Sequence, residues 1–453
     1  MSEVEPDAPV TPTGDTIAVA VAGSRAPEGA VTNPGAEEAD GQTAEAAVTS
    51  DAEEADAQTA EAAVTADAEE ARAQSAEPVE PPPAPAPDVM PVIIDVHDLD
   101  WPLVKEAVAR AMERSRMRET VEAFEALLDR DGGPGLMFDG DRATPGDQAI
   151  KVGEFDPAAP LWIIGDLHGD LLALEAAVAA IEKDAADTRS PPPRIVFLGD
   201  LFDDEGLGLE LLLRLFELVL AAPNKICILV GNHDEALSYD GVHFASSVSP
   251  GDFADFLNAN LAHEWIERAG KLAVRFFAQA PHALFLPDGL LIAHAGFPLS
   301  DLHGKLEETG DWNDPACLSD FTWTRAHPTA RRKMPNRFTR GSQFGREDFD
   351  LFCELAGRMG RPVTHMVRGH DHGEDRFITY PAYQAHPMLT TVALSRRLPR
   401  EAFGPFARVP TLARYVPGAL PQVHRLHVPA ELVASVFQPP ETGAAEPATE
   451  CKG

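Results

Sequence analysis

Polar side chains of a few types follow apolar runs of the sequence at short spacing. In WIIGDLHGD (162–170), Asp166 and His168 come directly after an apolar run, and in GNHDE (231–235), Asn232 and His233 follow another. Carboxylates gathered in one place repel one another and desolvate poorly unless a cation holds them. Mixed aspartate, histidine and asparagine ligands suit manganese, iron or zinc. These residues therefore predict a metal site, at which a bound water loses a proton near neutral pH and becomes a nucleophile.

Five apolar runs end in groups of this kind. The motifs are GDLHGD, GDLFDDE, GNHDE, HAGFP and GHDHGED, which contain Asp166, His168, Asp200, Asp203, Asp204, Glu205, Asn232, His233, Asp234, His294, His370 and His372. Strand ends of open α/β sheets converge on one crevice, so we expect these side chains to lie together. One aspartate can bridge two ions. The glycine before each ligand is expected to let the backbone turn tightly off its strand.

The elements that must position these groups are predicted from the hydrophobic pattern. Strands are predicted at 161–164, 194–198, 225–230 and 290–293, with further strands at 363–368, 376–380 and 389–394. Helical segments follow the first two strands, and a longer, mostly helical insertion follows the third. Apolar, β-branched strands that alternate with helices predict an α/β (α+β layered) fold with buried strands.

The chain of 453 residues divides by composition into four segments. Residues 1–90 form an acidic arm rich in Ala, Glu and Pro, in which a sixteen-residue repeat starts at Glu37, Glu53 and Glu69. The repeats lack the large apolar side chains that a core needs, so we predict disorder. The other segments are a helical lead-in at 91–150 packed on the core, a catalytic domain at 151–430 and a disordered tail at 431–453. The arm is either a solubilising extension or a binding segment for a partner.

Charge and cysteine usage exclude some classes of function. The net charge of -36 argues against nucleic-acid binding, because an acidic surface repels phosphates, although it allows phosphate to be held in a cationic site. The four cysteines are scattered without a CxxC pair, which is typical of a reducing compartment. No stretch is long enough to span a bilayer, and the acidic start MSEVEPDAPV is a poor signal peptide. We therefore expect a cytoplasmic protein that does not bind membranes.

The motifs resemble the signature of the calcineurin-like metallophosphoesterases, and within them that of the phosphoprotein phosphatases of the serine/threonine type. That signature runs GDxHG, GDxxDRG, GNHE, HGG and a later histidine; this sequence has GDLHG, GDLFDDE, GNHDE, HAGFPLSDL and RGHDH. DFTW (320–323) resembles a D-x-x-W element, and FTRGSQFG (338–345) resembles the family's arginine segment with one residue fewer. The resemblance covers about residues 100–400 and implies a ββ-sandwich flanked by helices, with a dinuclear metal site at one sheet edge.

The resemblance also implies a role for each matching residue. Asp166 and His168 are expected to bind the first ion, Asp200 to bridge both ions, and Asn232, His294 and His370 to bind the second. His233 is expected to protonate the leaving oxygen, with Asp203 orienting it, and Arg340 to clamp phosphate oxygens. The implied cofactors are two ions of manganese, iron or zinc, with manganese favoured. The implied reaction is hydrolysis of phosphoserine, phosphothreonine or phosphotyrosine esters in phosphoproteins.

Departures from the signature leave alternatives open. Asp204 stands where the family has a phosphate-gripping arginine, and Arg325, Arg368 or the basic cluster at 331–333 are candidates to replace it. GNHD replaces GNHE, and GHDH has a second histidine, His372, which the nuclease and phosphodiesterase branches use as a ligand of the first ion. A phosphodiesterase or nucleotide hydrolase on the same scaffold is therefore an alternative. A scaffold protein with a degenerate site is a further one.

Overall fold

The computed structural model describes residues 90–437 apart from 155, 157, 190, 336–339 and 402–408. The predicted acidic arm, up to residue 89, lies outside the described residues. The prediction of a disordered tail at 431–453 is wrong for its first residues, because residues 430–437 form a helix with Leu432 and Val433 buried. The remainder of that tail, 438–453, also lies outside the described residues. Within the described part, no helix is both long and apolar enough to cross a bilayer.

The strands are short and are spread along the whole described chain. They are β1 (Ile93–Val96), β2 (Ala149–Lys151), β3 (Leu161–Ile164), β4 (Arg194–Phe197), β5 (Ile226–Ile228), β6 (Leu237–Tyr239), β7 (Phe244–Ser246), β8 (Ala283–Phe285), β9 (Leu290–Ala293), β10 (Arg325–Ala326), β11 (Gln343–Phe344), β12 (His365–Arg368), β13 (Phe377–Thr379), β14 (Met388–Thr391), β15 (Thr411–Tyr415) and β16 (Gln422–Leu426).

The α-helices alternate with many of these strands. They are α1 (Trp101–Met112), α2 (Met117–Leu128), α3 (Leu171–Thr188), α4 (Gly208–Ala221), α5 (Asn232–Ala236), α6 (Asp252–Ala259), α7 (Glu264–Phe277), α8 (Ser300–Thr309), α9 (Pro315–Trp323), α10 (Arg346–Arg358) and α11 (Ala430–Phe437). The predicted mixed α/β class is therefore confirmed, and the insertion after β5 contains α6 and α7 together with the hairpin β6–β7.

Two six-stranded sheets form the centre of the fold. The first has the order β1-β16-β15-β3-β4-β5, and the second has the order β13-β14-β12-β9-β8-β2. Strands β3, β4 and β5 are parallel, as are β9, β12 and β14. Both sheets are mixed, because β15 pairs antiparallel with β3 and β13 pairs antiparallel with β14.

The apolar residues of the strands separate into cores on either side of each sheet. Ile163 of β3 belongs to the same cluster as Ile292 and Val367 of the second sheet, so this cluster lies between the sheets. Trp162 and Ile164 instead join the cluster that contains residues of α3, α4 and α7. Because alternate side chains of β3 are buried on opposite faces, the strand is apolar without interruption. The result is the expected ββ-sandwich flanked by helices.

The lead-in before the sandwich packs on it through helices α1 and α2. Helix α1 begins where the Asp100 side chain accepts a hydrogen bond from the Leu103 amide (3.1 Å), and proline follows at its second position. Phe124 of α2 is fully buried and stacks on Phe216 of α4, with ring centroids 3.8 Å apart. The lead-in also contains strand β1, which the hydrophobic pattern did not predict, paired in parallel with β16.

Candidate metal centre

The predicted ligands follow strand ends that lie at one edge of the sandwich. In the first sheet, Ile164 is in register with Phe197, and Phe197 with Ile228, so the segments after β3, β4 and β5 start side by side. In the second sheet, the segments after β9 and β12 are joined by a hydrogen bond from the Gly369 amide to the His294 carbonyl (2.9 Å). The sheets meet where Asp166 forms a β-bridge with Val392. The expected convergence of these motifs is therefore present.

The glycines before the ligands are needed mainly because neighbouring atoms, of the backbone or of another ligand, come very close. A Cβ on Gly165 would lie 1.8 Å from the Thr391 carbonyl oxygen, and one on Gly369 would lie 2.2 Å from Asp166 Oδ1. Gly199 has a φ of +97°, and a Cβ there would lie 2.1 Å from the Gly231 nitrogen. The expected tight turn therefore explains Gly199, whereas Gly165 and Gly369 are required by close approach.

Backbone strain is concentrated at this edge. Six of the ten non-glycine residues that have positive φ in the described structure belong to the predicted motifs: His168, Asp200, Asp203, Asp204, Glu205 and His370. A non-glycine residue in this region costs about 1–3 kcal/mol and persists where surrounding contacts enforce it. Such a concentration is typical of a functional site.

One group of donor atoms converges on the Nε2 atom of His294. This nitrogen lies 3.1 Å from His370 Nδ1, 3.2 Å from Asn232 Oδ1 and 3.4 Å from Asp200 Oδ2. All four side chains are buried, with at most 5% of each residue exposed. Nδ1 of His294 lies 3.0 Å from the Leu198 carbonyl, so the ring carries its proton on Nδ1 and directs a lone pair from Nε2 towards the other ligand atoms.

A second group contains Asp166, His168 and His372. His372 Nε2 lies 3.1 Å from Asp166 Oδ2, while its Nδ1 lies 2.8 Å from a carboxylate oxygen of Glu401. His168 Nε2 lies 3.7 Å from Asp200 Oδ2, while its Nδ1 lies 3.1 Å from the Phe202 carbonyl. In each ring the acceptor beside Nδ1 fixes the proton there and leaves Nε2 facing a carboxylate. This is the arrangement that second-shell acceptors impose on metal-ligating histidines.

These donor sets fit divalent or trivalent cations. Lone pairs that face carboxylates at about 3 Å repel unless a positive charge lies among them. Burial lowers the pKa of His294, but the charges of Asp200 and Asp166 outweigh burial and raise that pKa, so the place attracts positive charge. The ligand atoms of Asp166, His168 and His372, and those of Asp200, His294 and His370, lie within 4.8 Å of one another in each set. Asp200 has atoms near both sets, as the bridging prediction requires.

Beside the ligands lies a buried ion pair between His233 and Asp203. Asp203 Oδ2 is 2.7 Å from His233 Nδ1, and its Oδ1 accepts a hydrogen bond from the Phe253 amide (2.9 Å). Burial works against the charge of His233, but Asp200 and the hydrogen bond to Asp203 outweigh it and raise the pKa of His233. A buried histidine with a raised pKa and an oriented ring can deliver a proton to a departing oxygen.

Two supporting residues had no assigned role in the sequence-based prediction. Asp234 accepts hydrogen bonds from the amides of Asp200 (2.8 Å), Leu201 (3.1 Å) and Gly231 (2.9 Å), and thereby holds the loop after β4 against the start of α5. Burial and the nearby Asp200 raise the pKa of Asp234 to about 7. Its place directly after the GNH motif was a signal for this role. Glu401 lies in a segment without a signature motif, and no sequence signal pointed to it.

The arginines expected to contact phosphate occupy different surroundings. Arg340 is exposed and lies over the Trp323 ring, 4.2 Å from its centroid. Trp323 in turn donates from Nε1 to Glu235, three residues after Asn232 (2.6 Å). Arg368 is fully buried and bonds to Asp371, Tyr380, Thr390 and backbone carbonyls, so it is not available to a substrate. Arg331 and Arg332 pair with Glu347 on the surface.

Comparison with known families identifies the part of the chain that builds this site. Residues 159–374 match the family of calcineurin-like phosphoesterases. They form a calcineurin-like phosphoesterase domain. The predicted resemblance is thereby confirmed at the level of the domain. The family binds metal ions, and this phosphoesterase domain contains the matching ligand clusters.

Individual relatives are distant. A segment of 75 residues is 37% identical to the serine/threonine-protein phosphatase rdgC of Drosophila melanogaster, which corresponds to 17% of this chain and 11% of that protein. The chain therefore spans about a tenth of the curated relative that it matches. Among solved structures, a protein serine/threonine phosphatase from Saccharomyces cerevisiae aligns with a TM-score of 0.45 at 14% identity, covering 72% of this chain and 90% of the other. A metallophosphoesterase from Sphaerobacter thermophilus aligns with a TM-score of 0.32 at 18% identity, covering 62% and 98%.

Proposed function

We propose that the phosphoesterase domain is a metal-dependent phosphomonoesterase that hydrolyses phosphate esters of serine, threonine or tyrosine in proteins. The observation that carries this proposal is the set of histidine Nε2 lone pairs directed at Asp166 and Asp200, next to the His233–Asp203 pair. Such a site combines ligands for two cations with a proton donor, which are the groups that phosphoryl transfer to water requires.

The proposed roles follow the two donor sets. One ion would be held by Asp166, His168 and His372, the other by Asn232, His294 and His370, with Asp200 shared between them. Bound ions of this type supply a hydroxide nucleophile and neutralise charge on phosphoryl oxygens. His233 would protonate the leaving oxygen, Asp203 would keep its ring oriented, and Arg340 would contact phosphate at the rim. Manganese is the favoured metal, and a reducing, cytoplasmic location is consistent with the scattered cysteines.

Support for a phosphoprotein substrate comes from the sequence. HAGFPLSDL (294–302) and FTRGSQFG (338–345) resemble elements of the phosphoprotein phosphatases. The segment similar to the Drosophila serine/threonine-protein phosphatase points in the same direction. A phosphorylated protein is therefore the proposed partner, whereas the acidic arm would repel nucleic acid.

A second candidate function, phosphodiesterase or nucleotide hydrolase, is favoured by His372. Its Nε2 lies 3.1 Å from Asp166 Oδ2, and Glu401 fixes the ring from the other side. These contacts support the second histidine of GHDH as an extra ligand of the first ion, as in the diesterase branches that the motif resembles.

Comparing three substrates on the metal-loaded protein separates these functions. The protein is stripped with EDTA, reloaded with manganese, iron or zinc, and assayed with p-nitrophenyl phosphate, bis-p-nitrophenyl phosphate and a phosphoserine peptide. We expect metal-dependent hydrolysis of the two monoesters with a higher kcat/KM than that of the diester. Faster hydrolysis of the diester would favour the second function.

A ligand variant tests whether the site itself is responsible. Asp200→Asn keeps the size of the side chain but removes the shared charge, so we expect loss of bound metal and at least about a 100-fold fall in kcat. Asp187→Asn, on the exposed end of α3, removes the same charge far from the ligands and should leave both unchanged. Full activity and full metal content in Asp200→Asn would contradict the proposal. Absence of metal-dependent hydrolysis in the parent would favour a scaffold protein with a degenerate site.

A further inference from the structure

A buried carboxylate near the ligands lacks hydrogen bonds within the described part of the chain. Asp204 is 1% exposed, and neither of its carboxylate oxygens has a hydrogen-bond partner among the described residues. Its backbone is held in place, because its amide donates to Asp252 (2.8 Å) and its carbonyl accepts from Arg396 (2.9 Å). Burying a carboxylate without hydrogen bonds is costly unless a cation lies close by. Asp204 therefore requires a positively charged neighbour.

That neighbour is Arg400. Its Nη2 atom lies 3.3 Å from Asp204 Oδ2. The same nitrogen lies 2.8 Å from His168 Nε2, the atom that the first donor set presents to a cation. His168 Nδ1 is 3.2 Å from Asp204 Oδ2, but its proton is directed at the Phe202 carbonyl. Asp204 thus holds the guanidinium of Arg400 over the candidate metal centre.

The guanidinium of Arg400 also has capacity for another acceptor. A guanidinium carries five N–H donors. In the described part of the structure, Arg400 donates one hydrogen bond, to His168, and 35% of its side chain is exposed. A guanidinium and a metal ion cannot share the lone pair on His168 Nε2. When His168 ligates an ion, Arg400 would therefore move off that nitrogen, and the N–H donors of Arg400 would face an anion bound to the ion.

Other arginines at this end of the sheets are engaged. Arg368 is fully enclosed by Asp371, Tyr380 and backbone carbonyls. Arg376 bonds to the Glu401 carboxylate and to the Arg396 carbonyl. Arg396 uses Nη2 for the carbonyls of His168 and Asp204. Arg325 uses Nη1 for the His370 carbonyl and the Asp371 carboxylate. Among these arginines of the described chain, Arg400 is the one whose guanidinium lies against a ligand atom of the candidate centre.

We propose that Arg400 binds the phosphate group of the substrate and that Asp204 is the residue that positions it. This deepens the proposed function and rests on it. Asp204 stands where the family has a phosphate-binding arginine. In this chain the phosphate-binding arginine would instead be Arg400, in the segment after β14, and Asp204 would pair with it. The ligand class is a tetrahedral oxyanion, either the phosphate of an ester or inorganic phosphate.

The test measures phosphate affinity and metal content separately. The manganese-loaded full chain and its variants are titrated with inorganic phosphate by calorimetry, phosphate inhibition of p-nitrophenyl phosphate hydrolysis is measured, and bound manganese is determined by elemental analysis. Arg400→Gln should weaken phosphate binding and raise KM by about tenfold or more with unchanged manganese, since charge-assisted bonds contribute at least that factor. Arg400→Lys should bind phosphate more weakly than the parent but more tightly than Arg400→Gln, because lysine keeps the charge but loses the paired donors.

Two further variants supply the control and the link to Asp204. Arg358→Gln removes an exposed guanidinium at the end of α10 and should bind phosphate like the parent. Asp204→Asn should weaken phosphate binding in the parent but not in Arg400→Gln, because the two residues act as one unit.

Each possible outcome bears on a different proposal. Equal phosphate affinity in Arg400→Gln and the parent would overturn the role of Arg400, and so would loss of manganese from Arg400→Gln or absence of phosphate binding by the parent. If the parent binds phosphate through Arg400 but hydrolyses neither monoester, the anion site stands and the proposed monoesterase function fails.

Discussion

Replacing Gly165 with alanine is expected to disrupt the candidate metal centre, although Gly165 itself is not a ligand. The new Cβ would lie 1.8 Å from the Thr391 carbonyl oxygen, whereas carbon–oxygen contacts are about 3.3 Å or longer. Because the blocking atom belongs to the backbone at the end of β14, either that strand or the segment carrying Asp166 must move by about 1.5 Å. A displacement of about 1 Å at reacting groups lowers rates about 100-fold.

We therefore expect Gly165→Ala to lose bound manganese, to show a kcat/KM at least about 100-fold lower and to lose about 1–3 kcal/mol in the free energy of unfolding. Elemental analysis, p-nitrophenyl phosphate hydrolysis and urea denaturation measure the three quantities. Gly357→Ala is the matched control, because a Cβ there meets nothing within 4 Å and the position is inside helix α10. That variant should gain about 0.5–1 kcal/mol. If Gly165→Ala kept the metal content and turnover of Gly357→Ala, close packing at Gly165 would not be what holds the Asp166 turn in place.

Three further predictions concern stability. Phe124→Ala should lower the free energy of unfolding by about 3–5 kcal/mol in urea denaturation, because Phe124 is fully buried between α2 and α4; a loss under 1 kcal/mol would mean that the lead-in is not part of the cooperative unit. Arg368→Met should cost about 3–5 kcal/mol by the same assay, since it removes the cation from a buried network with Asp371; an unchanged midpoint would refute that role. Burial lowers the pKa of His282 from 6.5 to about 4, so the unfolded chain binds the extra proton and stability falls as the pH drops below 6.5. Lowering the pH from 7.5 to 5 should therefore lower the free energy of unfolding by about 2 kcal/mol through this group. In metal-free protein, His282→Leu should abolish this loss, whereas His243→Gln, at an exposed site, should not.

Much of the site could be predicted because each motif is local. An apolar run followed by Gly-Asp or Gly-Asn places the ligand within a few residues of a strand end, and parallel register then carries these ends to one edge. This rule was enough to predict that Asp166, Asp200 and Asn232 lie together. The structure agrees with it, because Ile164, Phe197 and Ile228 are in register at the ends of their strands. The fold class followed from the same alternation of buried strands and helices.

The remaining features depend on contacts between distant parts of the chain. Strand β1 pairs with β16, more than 300 residues later, and both are short and partly polar, so no periodicity revealed them. Glu401 and Arg400 reach His372 and His168 from a segment, SRRLPREA, that has the composition of an ordinary surface loop. Glycine before a ligand was correctly singled out, but its reason at Gly165 is the proximity of β14, which only the tertiary structure supplies.

The candidate ligands come from both sheets, with Asp166, Asp200 and Asn232 after strands of the first and His294 and His370 after strands of the second. A cation held among them acts as a cross-link between the two halves of the sandwich. Metal binding would then stabilise the folded protein, by about 2.7 kcal/mol when the free ion is at 100 times its Kd. We expect protein made in metal-starved cells to be cleaved faster by proteases where the two sheets meet. The supply of metal would then determine how much of the protein accumulates.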